Sequence, residues 1–103
     1  MNYWSFTMLL KPATDGSITG TGTFVLESTI LGGVLITADG TNAATVIVRY
    51  VNSSGKQIFK LVTKSPIFIT GPLSNRDGGN TSQTAYYDVS GTGGAAQFYE
   101  WVT

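Results

Sequence analysis

The chain is predicted to be all-β, an antiparallel β-sandwich (jelly-roll-like) of about eight short strands. Three observations carry that expectation. No stretch of about ten residues repeats apolar groups at intervals of three and four, so no helix is predicted. Short runs rich in Val, Ile, Thr, Tyr and Phe recur at a spacing of roughly 8–12 residues, the pattern of a sandwich or small barrel. Clusters of Asp, Asn, Gly and Ser separate them, as turns require.

Taken in order, residues 3–10 alternate, with Trp4, Phe6, Met8 and Leu10 on one face and Tyr3, Ser5, Thr7 and Leu9 on the other. That period of two predicts a half-buried strand whose first face is core, followed by a loop from Pro12 to Gly16. Residues 17–27 (SITGTGTFVLE) read as one interrupted strand at an edge. Ile18, Phe24 and Leu26 share a parity there, while Gly20 and Gly22 imply a bulge or a close backbone approach. Residues 30–38 are the next strand, where Gly32-Gly33 leaves room for a neighbouring side chain.

The most regular region is residues 30–59. An apolar run (Val34, Leu35, Ile36), a turn cluster (Asp39-Gly40-Thr41-Asn42) and an alternating run (Val46, Val48, Tyr50) precede a second turn (Asn52-Ser53-Ser54-Gly55) and the run Ile58-Phe59. An antiparallel meander is expected here. Lys64-Ser65-Pro66 then breaks the chain before Ile67-Phe68-Ile69, and residues 71–83 have no apolar rhythm, as in a long loop. Two final strands follow, residues 84–89 and 95–102. In the first, Ala85, Tyr87 and Val89 share a face. In the second, Phe98 and Val102 oppose Tyr99 and Trp101, which suits the centre of a sandwich or a face set against another subunit. The glycine-rich link Gly91-Thr92-Gly93-Gly94 reads as a hairpin turn. With no internal repeat and no linker, residues 1–103 are expected to form one domain.

Composition narrows the chemistry. The chain has 103 residues with no cysteine and no histidine. It is long enough to bury roughly 60–70% of its unfolded surface without disulfides. Histidine is the usual general base near neutral pH and the commonest metal ligand, so triads and zinc sites are disfavoured. Only 12% of residues are charged, six Lys/Arg against six Asp/Glu, about half the typical share of roughly 25%. No net field steers the chain to nucleic acid or to an anionic membrane. No signal peptide is read, the longest apolar stretch is far shorter than a spanning helix, and a soluble protein is expected. A hydroxyl-rich surface near zero net charge is either simply soluble or is covered by partner subunits.

Glu27, Asp88 and Glu100 are the only carboxylates placed for a glycosidase-type pair, and solvated strand-edge acids are the commoner reading. Asn75, Asp77 and Asn80 offer oxygens to calcium without the spacing of a known loop. Asn52-Ser53-Ser54 and Asn80-Thr81-Ser82 match the glycosylation acceptor pattern, as chance allows in a Ser/Thr-rich chain. Arg49 and Lys60 make at most a small basic patch. Gly55-Lys56 is followed by Gln57, which is no phosphate loop. No catalytic, metal or cofactor-binding residue is assigned. Trp101, Tyr99 and Tyr86 suit a sugar platform or, preferably, core and subunit interface, where Tyr and Trp are enriched.

The segments Gly33-Val34-Leu35-Ile36-Thr37, Asp39-Gly40-Thr41-Asn42, Thr45-Val46-Ile47-Val48 and Ser54-Gly55-Lys56-Gln57-Ile58-Phe59 resemble small β-rich virion proteins of tailed bacteriophages. Tyr87-Asp88-Val89-Ser90-Gly91-Thr92-Gly93 with its closing aromatic strand fits the same pattern, so the resemblance spans residues 30–102. Arg49-Tyr50-Val51 departs from the short acidic turn lead-in of that pattern, and residues 4–10 have no counterpart in it. The resemblance implies a non-enzymatic capsid decoration (cement) protein, made in the host cytoplasm and placed on the capsid surface of the virion. Its implied partners are the major capsid protein and further copies of itself, as a homodimer or homotrimer, without nucleic acid or membrane. Tyr3, Tyr86, Tyr99 and Trp101 are the expected interface residues, with the 71–83 loop reaching a neighbour. The alternative is a tail- or fibre-associated module that binds a receptor glycan.

Overall fold

In the computed structural model, which describes residues 9–27, 30–74 and 83–102 (Val102 by its backbone), eight strands follow one another. They are β1 (Leu9–Pro12), β2 (Gly20–Leu26), β3 (Leu31–Thr37), β4 (Ala44–Tyr50), β5 (Gln57–Thr63), β6 (Ile67–Thr70), β7 (Gln83–Ser90) and β8 (Ala95–Val102). Two four-stranded sheets result, ordered β1-β8-β3-β6 and β2-β7-β4-β5. All the pairings are antiparallel. β1 pairs with β8, β2 with β7, β3 with β6 and β4 with β5, so each pair nests inside the one before. That nesting is the jelly roll, a long hairpin wrapped into two facing sheets. The predicted fold class is the observed one.

The order of the sheets corrects the expected meander. β4 and β5 do form a hairpin, but β3 lies in the first sheet and β4 in the second. The Asp39–Asn42 cluster therefore crosses from one sheet to the other. Asp39 shapes that crossing: its Oδ1 accepts the Thr41 and Asn42 backbone N–H groups at 2.8 and 2.7 Å. The Gly91–Gly94 link is likewise no hairpin turn, because it joins β7 of the second sheet to β8 of the first. Both crossings lie together, with Gly93 against the Asp39 side chain. A period of two fixes which way a side chain points, and it says nothing about which sheet holds the strand.

The first corner is a third crossing. After β1, Ala13 donates to the Phe98 carbonyl at 2.8 Å and Ile18 bridges Ala96, so the chain still follows β8. At Gly20 it turns into the second sheet with φ +80°, a conformation open to glycine at little cost. The interruption expected in residues 17–27 is this change of sheet. β1 runs on through Pro12, where a loop was expected, and an edge strand tolerates a proline.

The inner faces supply the core. Phe24, Leu26, Val46, Val48, Ala85 and Val89 come from the second sheet, and Leu31, Val34, Ile36, Ala96 and Phe98 from the first. Phe24 and Phe98 stack across the gap with centroids 4.8 Å apart, and Tyr87 leans on both at 6.2 Å. Tyr87 also occupies the space a side chain at Gly22 would need. Each fully buried aliphatic or aromatic side chain contributes about 1.5–3 kcal/mol. Leu10 departs from the expected pattern. It pairs with Trp101 on the outward parity of β8, so its face is not core; Trp4, Phe6 and Met8, assigned to the same face, lie outside the described residues.

Candidate functional site

β8 sits between β1 and β3, so both its edges are paired and its two faces point into and out of the sandwich. Ala96, Phe98 and Glu100 point into the sandwich, and the alternate residues Ala95, Gln97, Tyr99 and Trp101 point away from it. The register then builds the outer face of the first sheet. Leu10 stands beside Trp101, Pro12 beside Tyr99, and Leu35 beside both Gln97 and Phe68. The Phe68 and Tyr99 rings meet at 5.6 Å, tilted by 49°. The Tyr99 hydroxyl donates to Gln97 Oε1 at 3.1 Å. No charged side chain belongs to this face among the described residues.

A bulge in β3 shapes one end of it. The β3–β8 register shifts between Leu31 and Gly33, which sets Gly32 out of the ladder. Trp101 fills the space above it: a β-carbon at Gly32 would lie 2.7 Å from the indole nitrogen. Phe68 covers Gly33 in the same way, at 3.4 Å. Beyond Thr70 the chain stays on the bulge, with Gly71 and Leu73 donating to the Gly32 and Leu31 carbonyls at 2.9 and 2.7 Å. Buried Ser74 accepts the Leu31 N–H at 2.7 Å. The segment expected to be a featureless loop thus begins as an extension of the sheet, while residues 75–82 lie outside the described residues. The Trp101 indole N–H is buried with no hydrogen-bond partner among the described residues.

The outer face of the second sheet differs. Thr21, Thr23, Val25, Thr45, Ile47, Tyr86 and Asp88 line it, with Arg49 and Lys60. Asp88 and Lys60 flank Ile47 on either side. Arg49 donates to the Gly55 carbonyl at 3.2 Å. The small basic patch accordingly shares its face with an acid. Of the four expected interface residues, Tyr99 and Trp101 come together, Tyr86 lies on the opposite side of the sandwich, and Tyr3 is outside the described residues. Sequence reasoning missed Phe68, Leu35 and Leu10. The visible signal was the run Ile67-Phe68-Ile69, apolar on both parities in a short edge strand.

The three acids are dispersed. Asp88 is on the outer face of the second sheet. Glu27 is exposed just past β2, and Lys11 holds it at 2.8 Å, tying β1 of the first sheet to the end of β2 in the second. The hydrogen bond and charge of Lys11 lower the Glu27 pKa from its ordinary value, and Glu27 raises that of Lys11. Glu100 corrects the expectation of a solvated edge acid, since it is 2% exposed on the inner face of β8. Lys11 pairs with it across the strands and feels its charge. Among the described residues no three acids gather into a metal-holding group. Asn52 sits in an exposed turn and accepts the Ser54 N–H at 2.9 Å, while Asn75, Asp77 and Asn80 lie outside the described residues. Among the described residues no helix is long and apolar enough to cross a membrane.

Comparison with protein-family models, curated proteins and solved structures finds no match for this chain. Among the described residues, the outer face of the first sheet carries the rings of Phe68, Tyr99 and Trp101 and no charged side chain.

Proposed function

We propose that the chain is a non-enzymatic virion structural protein that decorates a phage capsid, with the outer face of the first sheet lying against the coat lattice. The observation that supports this most is the contrast between the two outer faces. Among the described residues one carries Leu10, Leu35, Phe68, Tyr99 and Trp101 with no charge, and the other carries Arg49, Lys60 and Asp88. Interfaces are depleted of charge at their centre and enriched in Tyr, Trp and Phe. Phe68 is 44% exposed, which is apolar surface that docking would remove from water. The virion assignment itself rests on the sequence resemblance, and the jelly roll is a frequent architecture of capsid and lectin domains. Many copies on a repeating lattice multiply a modest affinity per contact.

The lectin precedent keeps the glycan-binding module as the second reading, favoured by the paired rings of Phe68 and Tyr99. Electron microscopy of particles that carry or lack the chain separates the two. Added density over the head lattice is the expected result. Density confined to tail or fibre, with sugar binding by the isolated protein, would refute the decoration role.

A further inference from the structure

The four edges of the sandwich are not protected alike. β6 is four residues long and follows Pro66, while β1 carries Lys11 and ends on Pro12. β5 is seven residues long, with Lys60 at its middle and a register shift opposite Val48 and Arg49. Short length, charge, proline and bulges are the devices that keep an edge from pairing with another chain. β2 has none of them. It is seven residues (GTGTFVL) without charge or proline, and its ladder with β7 runs from Gly20↔Val89 to Leu26↔Gln83 without a shift. Among the described residues no backbone hydrogen bond outside the strand ladders involves Gly20–Leu26.

We propose that β2 is a self-association edge, pairing antiparallel with β2 of a second copy so that two four-stranded sheets become one continuous sheet. The occupant is a second copy because the strand is compatible with itself under a two-fold axis. With the axis at Thr23, Thr21 stands opposite the partner subunit's Val25, and Thr23 opposite the partner's Thr23. The outward side chains Thr21, Thr23 and Val25 are all exposed, Val25 at 51%, and the pairing covers them. The same operation on β5 would set Lys60 against its own copy. The nearest charge beyond β2, Glu27, is already held by Lys11 of its own chain. One strand edge buries less than the roughly 1,200–2,000 Å² of a stable complex. The contact is therefore weak in solution and gains its effect where copies already stand side by side.

The chain has no cysteine, so Thr23→Cys supplies a single thiol. Directly opposed residues have β-carbons about 4.5–5.5 Å apart, close enough for a disulfide after slight adjustment. Under one mild oxidant, T23C is expected to reach disulfide dimer about tenfold faster than the exposed control K60C. Sedimentation of the cysteine-free protein should show a concentration-dependent rise that Thr23→Lys removes. Equal rates for T23C and K60C, or faster capture at Val25→Cys, would overturn the Thr23-centred pair. Both measurements use the isolated chain, so they stand or fall separately from coat binding.

Discussion

The indole of Trp101 lies on the backbone of Gly32, so near that a β-carbon there would sit 2.7 Å from Nε1. The bulge in β3 and the ring on β8 are thus one feature, and each is shaped by the other. Gly32→Ala should force the ring off this seat and cost about 1–3 kcal/mol, the range for overpacking a filled site. Denaturant unfolding measures the loss. In a Trp101→Ala background the same substitution should cost far less, because the ring it collides with is gone. Additive costs in that double-mutant cycle would mean that Leu10, whose Cδ2 would lie 2.8 Å from the new β-carbon, and not the ring, rejects the methyl group.

Phe98 tests the core. It is fully buried on β8 and stacks on Phe24 from the other sheet at 4.8 Å. Phe98→Ala removes the central inter-sheet contact and should cost about 3–5 kcal/mol, a large part of the roughly 5–15 kcal/mol of a typical domain. Thermal unfolding by circular dichroism reads it, and a loss under about 1 kcal/mol would mean the core repacks around the vacancy.

Strand periodicity made most of this core legible. Phe24 and Leu26, Val46 and Val48, and Ala85 and Val89 were each assigned to one parity, and each pair is buried. What periodicity lacks is the partner. Asp39–Asn42 and Gly91–Gly94 have the composition of hairpin turns and the geometry of crossings, since the same residues serve any tight reversal. The outer face was half legible for the same reason. Tyr99 and Trp101 lie two apart on one strand and had to share a face, whereas Tyr86 belongs to a strand whose sheet could not be read. Leu35 and Phe68 join the face only through the β3–β6 register, a contact between distant segments. Glu100 reads as solvated in the sequence because an acid in an alternating strand shows its burial only once its face is known.

The pH dependence follows from two exposed carboxylates and one lysine. Lys11 lowers the Glu27 pKa below its ordinary 4.5, and the Asn42 and Thr41 hydrogen bonds lower that of Asp39 below 3.8. Both groups therefore stabilise the fold above those ordinary values and lose that contribution as pH falls through the depressed folded ones. Lys11 has the opposite sign: raised above 10.5, it stabilises fully below that value and less as pH climbs through its folded pKa. Stability measured against pH should be flat between these limits and fall at both ends. Lys11→Met should remove the alkaline fall and part of the acid one, while the Asp39 part persists. High salt should weaken the Lys11–Glu27 portion, because both side chains are open to solvent. An acid limb unchanged in both Lys11→Met and Asp39→Ala would place the responsible carboxylate elsewhere.

The two outer faces can be set against each other in one experiment. Phe68 is 44% exposed and leans on Tyr99, so Phe68→Lys should cost about 0.5–1.5 kcal/mol through the lost ring pair and leave the domain folded. If that face meets the coat, a lysine beside Tyr99 introduces an unpaired charge into a dry contact. Loss of such a hot-spot residue costs at least about 2 kcal/mol, near thirtyfold in affinity per contact. Repetition over a lattice turns that into the difference between decorated and bare particles. Tyr86→Ala, on the face with Arg49, Lys60 and Asp88, should leave occupancy unchanged. Quantifying bound chain after sedimenting the heads gives the answer. If Tyr86→Ala empties the heads and Phe68→Lys does not, the charged face is the one that docks, and the role assigned to the aromatic face is wrong.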